Sequence, residues 1–362
     1  MNKLKVLFTP SWEQANPYQN LLKKGIESVE GIDSEVELKN YPAGFFPLNK
    51  IISKSPKTNV LHVHWISELV IRIVWSKTPI IFWVKLLLFW LDCQLVKLRG
   101  VKLVWTLHNK FAHESQNKQR ELILRRTFCR CVDRIILHSE QALEKICELY
   151  ALDIRSKTSV IFHGNYEGCY PEPSENRDQL REKYGVKPNQ IALLYFGSIK
   201  PYKGVEELID TFLASNTKDV HLFICGAPKD QAHQQQLTTA CHNNDNIFTA
   251  FKFLDDQELV DFITLADAVV LPYSDTLTSG SVILAMTMGK ALTLPQSATV
   301  FGVNPRSGTH YFDKLSDIFD NSNELLNIDN LSQMGLHNKM AAAKLRWPDV
   351  GLATVRAYTS KK

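Results

Sequence analysis

At 362 residues the chain is too long for one ordinary hydrophobic core and suits two domains. Its 44% hydrophobic and 22% charged residues are those of a soluble globular protein. The net charge of +4 is mild, but Val70 to Arg134 holds thirteen Lys and Arg against four Asp and Glu. That excess points to an anionic partner for the first half and, with no recognition motif beside it, away from nucleic acid.

Met1 to Pro10 is a charged start running into a short apolar strand, with no secretory h-region or cleavage site, so a cytoplasmic location is expected. Short apolar runs then alternate with longer helix-like stretches. Strands are predicted at Leu4–Thr9, Val60–His64, Lys102–Leu107, Arg134–His138 and Ser159–His163. VLHVHW and VKLVWTLH are nearly continuous in apolar and β-branched residues, as in parallel strands buried on both faces. The fold class is therefore α/β, with crossover helices.

Residues 71–98 stand apart: strongly apolar and rich in Trp and Phe, yet carrying Arg72, Lys77, Lys85, Asp92 and Lys97 and broken by Pro79. The charges argue against a spanning helix. Aromatics interleaved with lysines suit a helix lying in a membrane interface, the plainer alternative being a core helix.

From Glu172 to Asn189 the chain turns polar, with prolines and charges, and reads as a linker with a lead-in helix. Strands are then predicted at Ile191–Gly197, His221–Gly226, Ile247–Phe251, Ala268–Pro272 and Ala291–Pro295, with a closing helix from Trp347. The expected domains are 1–171, 172–345 and a C-terminal helix over 346–362. Two doubly wound Rossmann-like units would face an interdomain cleft with their strand C-terminal edges. The cysteines at 93, 129, 131, 147, 169, 225 and 241 lack zinc or disulfide spacing and read as reduced thiols.

Two loops suit phosphate. In FGSIKPYKG, Gly197 follows a strand and lets the backbone turn beside a ligand, with Ser198, Lys200 and Lys203 at the same edge. In LPYSDTLTSGS, Thr278, Ser279, Gly280 and Ser281 open an apolar helix and expose N–H donors, which is compatible with simple N-capping. Asp255 and Asp256 read as helix capping, and no D-x-D loop stands in a setting suited to a metal.

GSIKPYKGVEELI resembles the G-x-L-x-x-x-K-G stretch of GT-B glycosyltransferases, and the later loop the segment in which their large retaining family carries E-x7-E. Lys203 matches that family's diphosphate lysine, Ser198 stands at its arginine position, and the two glutamates fall on Thr276 and Leu284. NPY at Asn16–Tyr18, HVHW at His62–Trp65, TLHN at Thr106–Asn109, HGNY at His163–Tyr166 and TSGS at Thr278–Ser281 together resemble bacterial exopolysaccharide transferases, including xanthan-type β-mannosyltransferases.

The resemblance implies a GT-B enzyme of the cytoplasmic membrane face, bound peripherally through residues 71–98. It would move a hexose, first mannose from GDP-mannose, onto a lipid-linked glycan. The donor is a nucleotide-diphosphate sugar, with no cofactor and no metal. His108 resembles the histidine that approaches the donor sugar. Candidate bases are Glu114, His113 and Glu13, because glycosyl transfer needs a base at the acceptor hydroxyl and donors that offset charge on the leaving diphosphate. Asn16, Tyr18, Asn109, His163 and Tyr166 are expected near the cleft, while His62 and His64 read as structural residues on one face of a strand. The missing carboxylates count against the ribose contact and a retaining mechanism; the alternatives are a retaining transferase using a UDP-sugar and, from another class, a non-catalytic nucleotide-sugar or glycan-binding protein.

Overall fold

The computed structural model describes residues 3–12, 17–112, 115–215, 217–242, 244–273, 276–319 and 327–360. The chain divides into two units, residues 1–164 with 345–362, and residues 165–344.

The first unit runs β1 (Leu4–Thr9), α1 (Tyr18–Glu27), β2 (Ser34–Leu38), α2 (Pro47–Ser53), β3 (Val60–Val63), α3 (Ser67–Val74), α4 (Pro79–Leu98), β4 (Lys102–Thr106), α5 (Lys118–Cys131), β5 (Arg134–Leu137), α6 (Glu140–Tyr150) and β6 (Thr158–Val160). Its strands form one parallel sheet in the order β2-β1-β3-β4-β5-β6. The second unit runs α7 (Arg177–Lys183), β7 (Ile191–Phe196), α8 (Val205–Ser215), β8 (Val220–Cys225), α9 (Gln231–Cys241), β9 (Ile247–Ala250), α10 (Asp256–Leu265), β10 (Ala268–Val270), α11 (Gly280–Thr287), β11 (Ala291–Pro295), β12 (Thr309–Phe312) and α12 (Ile328–Ala342). Its parallel sheet has the order β12-β11-β10-β7-β8-β9. Both sheets therefore change winding direction beside their first strand, where a doubly wound unit opens a crevice at the strand C-termini.

The central strands β7 and β8 are buried at every residue, which explains their unbroken apolar sequence. The edge strands β2 and β12 are absent from the sequence prediction for the same reason. SEVEL and THYF carry polar residues because only part of an edge strand is covered.

The unit boundary falls at Gly164, ahead of the expected 171, because Asn165 and Tyr166 already bond inside the second unit, to Ala342 and Thr287. The last helix, α13 (Trp347–Thr359), belongs to the first unit. It crosses α1 with backbones in contact: a Cβ on Gly25 would sit 2.4 Å from the Trp347 carbonyl oxygen, and one on Gly351 would sit 2.1 Å from Gly25. Lys102 holds the end of that helix, donating to the Tyr358 carbonyl at 2.6 Å.

Residues 71–98 depart from the sequence-based expectation. The helical path does break ahead of Pro79, α3 ending at Val74, but Pro79 itself starts α4, a position where its missing N–H costs nothing, with Thr78 as N-cap. The result is one 20-residue helix with a mean hydropathy of 1.7 over its most apolar stretch, long and apolar enough to cross a membrane by length and composition. Its charges are absorbed locally. Asp92 is buried and accepts from the Leu48 and Asn49 amides at the head of α2, at 2.8 and 3.0 Å. Lys85 donates to the Arg72 carbonyl at 2.6 Å. One face of α4, including Phe82, Phe89, Cys93 and Val96, packs into the unit, while Ile80, Trp83, Val84, Leu87 and Leu98 on other faces stay exposed.

Candidate functional site

In the first unit, four successive strands each release a histidine at the C-terminal edge: His64 after β3, His108 after β4, His138 after β5 and His163 beyond β6. Neighbouring rings lie 5.8 Å (His64 to His108), 5.2 Å (His108 to His138) and 5.7 Å (His138 to His163) apart. Tyr18, on the first turn of α1, packs against all four, closest to His163 at 4.8 Å and His108 at 5.1 Å. Trp65 stacks on His108 at 4.7 Å, and the exposed Trp12 lies 5.8 Å from Trp65.

The loop carrying His108 is clamped from behind. Buried Glu121 on α5 accepts from the Ala112 amide at 2.6 Å and from Arg125 at 2.7 Å. Arg125 in turn donates to the Asn109 carbonyl at 2.9 Å, and the Tyr150 hydroxyl to the Lys110 carbonyl at 3.1 Å. A buried ion pair joined to a backbone in this way fixes loop geometry more surely than it adds stability.

Burial holds these imidazoles neutral. It lowers His62, His64 and His108 well below the usual histidine range, His138 to about 4 and His163 to about 3, with neighbouring rings adding to the effect for all except His138. The bonds of two rings then assign their protons. His138 Nδ1 lies 2.8 Å from the Ile161 carbonyl and His163 Nδ1 2.6 Å from the Gly164 carbonyl, so each Nδ1 is the donor and each Nε2 keeps a lone pair. Both nitrogens of His64, and Nε2 of His108 and of His138, are buried without a partner among the described residues. Neutral rings presenting lone pairs suit hydroxyl donors, such as those of a sugar, and not an anion. His62 differs, being bonded on both sides, to Tyr358 at 2.6 Å and Thr106 at 2.7 Å.

Glu13, Asn16, His113 and Glu114, all named from the sequence, lie outside the described residues. His138 is absent from the sequence-based candidates, and His64 stands there as structural. The signal for both was present: four consecutive apolar runs each end in His, as HVHW, TLHN, ILHS and IFHG.

The second unit builds a different chemistry at the same kind of edge. After β7 the backbone turns at Gly197, whose φ of 119° no L-residue adopts comfortably. Gly226, after β8 at φ 155°, packs directly against it, and a Cβ there would lie 1.8 Å from the Gly197 carbonyl oxygen. Ile199 bridges to Pro228, leaving Ser198 exposed and Lys200 half-buried on the loop. A short turn over Pro201–Lys203 and Gly204 intervenes before α8.

That turn presents Lys203 over the ring of Tyr273, 4.4 Å from its centroid. The Tyr273 hydroxyl lies 2.6 Å from Ser279 Oγ and also bonds Ser281. Ser279 caps α11, accepting from the Val282 amide at 3.3 Å, and Gly280 and Ser281 form the first turn, with Thr278 half-buried before it. Tyr166 seals this corner, since a Cβ on Gly280 would come 2.9 Å from its hydroxyl. The loops after β7 and β10 thus converge through Tyr273. Burial, with Lys200 nearby, lowers the Lys203 ammonium to about 8, and no described carboxylate pairs with it. A half-buried cation beside the N–H groups of a helix start is an arrangement that a diphosphate completes.

At the positions of the family glutamates, Thr276 is buried with Oγ1 unpartnered among the described residues, and Leu284 is buried in α11. Asp255 caps α10 in a reciprocal box with Glu258. Among the described residues no group of three or more His, Cys, Asp or Glu is placed to hold a metal.

Residues 6–164 match the model of Glycosyltransferase Family 4, and residues 176–292 that of Glycosyl transferases group 1. A curated relative, the GDP-mannose:glycolipid 4-beta-D-mannosyltransferase of Xanthomonas campestris pv. campestris, is 24% identical over 265 residues, covering 73% of this chain and 70% of its own. Among solved structures, sucrose-phosphate synthase from Thermosynechococcus elongatus superposes with a TM-score of 0.73 at 14% identity, over 98% of both chains. Anabaena HepE, solved with UDP and glucose, gives a TM-score of 0.71 at 13% identity, over 99% of this chain and 100% of that one.

Proposed function

The chain belongs to the GT-B glycosyltransferases, and from that premise we propose that it moves a mannosyl group from GDP-mannose onto a lipid-linked glycan at the cytoplasmic face of a membrane, in surface or exopolysaccharide synthesis. The observation that carries the donor half is Lys203, half-buried over Tyr273 beside the head of α11. The name of the Xanthomonas relative supports the sugar and the glycolipid acceptor.

In this reading the second unit grips the diphosphate. Lys203 and the amides at Gly280 and Ser281 offset the charge that builds on the leaving group, and fixed donors of this kind usually contribute most to the rate of such a transfer. The first unit takes the acceptor. The lone pair on His138 Nε2 accepts a hydrogen bond from a sugar hydroxyl, Trp65 and Trp12 offer flat apolar faces, and neutral His108 is placed to accept or orient a proton at the reacting hydroxyl. Glu114, His113 and Glu13 remain the alternative bases. Without the paired carboxylates a single inverting displacement is favoured, with Thr276 and Leu284 in their places.

The exposed Ile80, Trp83, Leu87 and Leu98 of α4, in the basic half of the chain, serve as the membrane-facing surface. The test is transfer from GDP-mannose to an isolated lipid-linked oligosaccharide, with the product anomer read by NMR. A β-linked mannoside is expected. Turnover only with a UDP-sugar and retained configuration would replace this reading with the retaining one; nucleotide binding without turnover or donor hydrolysis would leave a binding protein.

A further inference from the structure

The first unit contains a cavity of about 370 Å³ that the transfer chemistry does not use. Its walls come from the 43–47 loop, from Leu69 and Ile73 on α3, and from Leu88 and Phe89 on α4, and they are overwhelmingly apolar. Two cations line it. Arg72 is committed, bonded to Glu68 and donating to the Pro42 carbonyl at 2.8 Å. Lys85 is not: its one hydrogen bond among the described residues goes to the Arg72 carbonyl, and no described carboxylate pairs with it. An ammonium on the wall of an apolar pocket, with donors to spare, selects a ligand that is a hydrocarbon with an anionic head.

Two further relationships say which such ligand. Leu88 shares α4 with the exposed Val84 and Leu91, its neighbours at i−4 and i+3, so the pocket borders the apolar strip offered to a membrane. At its other side α3 leads from the pocket to the histidine edge. Arg72 lies six residues beyond Ile66, about 9 Å along a helix, and Trp65, which stacks on His108, immediately precedes Ile66. The Tyr41 hydroxyl donates to the Trp65 carbonyl at 3.2 Å, and the neighbouring Pro42 carbonyl takes the Arg72 bond, tying the pocket wall to that edge.

We propose that this pocket holds the head-proximal hydrocarbon chain of the acceptor's phosphate-bearing lipid carrier, with Lys85 against the phosphate, so that the attached glycan reaches the histidine edge. The inference rests on the lipid-linked acceptor of the preceding reading, and it makes lipid recognition a property of a specific pocket and not of the membrane surface alone.

The full chain is titrated by calorimetry with dodecyl phosphate below its micelle concentration, and with dodecanol and inorganic phosphate as partial ligands. One site is expected for dodecyl phosphate, at least tenfold weaker binding of dodecanol, and no competition from inorganic phosphate. Lys85→Met should weaken dodecyl phosphate at least tenfold while leaving dodecanol unchanged. Leu88→Trp, which fills the pocket, should abolish both, and Leu87→Ser on the exposed strip should change neither while reducing flotation with phosphatidylcholine vesicles. Equal binding of dodecyl phosphate by the wild type, Lys85→Met and Leu88→Trp would overturn the proposal, as would dodecyl phosphate displaced equally well by a short-chain phosphatidylcholine. GDP binding by the same variants separates the two claims, since loss of nucleotide binding in the wild type would remove the donor reading and leave the pocket result standing.

Discussion

The Lys203 ammonium rests 4.4 Å above the ring centre of Tyr273, whose hydroxyl lies 2.6 Å from Ser279 Oγ at the head of α11. One tyrosine therefore joins the loop after β7 to the loop after β10. In the proposed reading it holds a cation and the first amides of α11 toward one anion, and burial has stripped the cation of much of its water.

That desolvation has a pH signature. Burial lowers Lys203 to about 8 in the free protein, whereas the unfolded chain keeps an ordinary lysine near 10.4. Between those values the unfolded state binds more protons, so native stability rises with pH there, and the full cost of the buried charge is present below about 8. Nucleotide binding runs the other way, because the ligand needs the charged form. Affinity for GDP is expected to hold below pH 8 and to fall above it, and Lys203→Arg should flatten the dependence. Calorimetric titration at pH 7, 8 and 9 reads both; a flat wild-type profile would remove Lys203 from the contact.

Gly226→Ala tests the backbone contact beneath this site. The new Cβ would lie 1.8 Å from the Gly197 carbonyl oxygen, and backbone cannot swing aside as a side chain can. A loss of about 1–3 kcal/mol or more is expected in urea unfolding, together with weaker nucleotide binding as Gly197 is displaced. Gly185→Ala is the control. It also has positive φ but meets nothing within 4 Å, so it should cost only about 1–2 kcal/mol of backbone strain and leave affinity unchanged.

His64→Phe separates stability from function. His64 has neither ring nitrogen partnered among the described residues and packs on Phe8, 4.6 Å away, and His62, 4.1 Å away. Removing an unsatisfied buried polar group should stabilise by about 1 kcal/mol at pH 7. The gain should widen in acid. Burial holds the folded pKa below that of the unfolded chain, so wild-type stability is full above about pH 6.5 and each such histidine removes about 1.4 kcal/mol per pH unit below it. For His138 and His163 the loss continues to about pH 4 and about pH 3. Denaturation at pH 7 and pH 5 measures this, while transfer activity should drop if the ring binds the acceptor. Unchanged transfer would return His64 to a purely structural role.

With Lys203 and the α11 amides carrying the leaving-group charge, transfer is expected to continue in EDTA and to be no faster with added magnesium. Activity abolished by EDTA and restored by a divalent ion would place a metal in the reaction.

Much of this architecture is legible in the chain because buried parallel strands write themselves as apolar runs. LLYF and HLFIC cannot be read otherwise, and glycine and hydroxyl residues mark the two loops, after β7 and after β10, proposed to hold the donor. What stayed hidden has a physical reason in each case. The edge strands SEVEL and THYF are half-exposed and lose the apolar signature. The charges of residues 79–98 hide a helix of spanning length and apolarity because Asp92 and Lys85 bond to neighbouring segments, a pairing across the fold that no local pattern records. The histidine row is hidden by distance, its members lying 25 to 44 residues apart and meeting only because parallel strands bring their ends together. Tyr273 is hidden differently: nothing in PYSD announces a ring beneath the lysine of another loop.

The most direct measurement is a calorimetric titration of GDP and UDP into the wild type and Lys203→Met at pH 7. The expected result is tighter binding of GDP than of UDP, a loss of about 10- to 100-fold in the variant, as for a charge-assisted bond of about 1.5–3 kcal/mol, and no loss of stability in the unliganded variant. Nucleotide affinity unchanged by Lys203→Met, or no binding of any nucleoside diphosphate, would contradict the assignment of the second unit as the donor site.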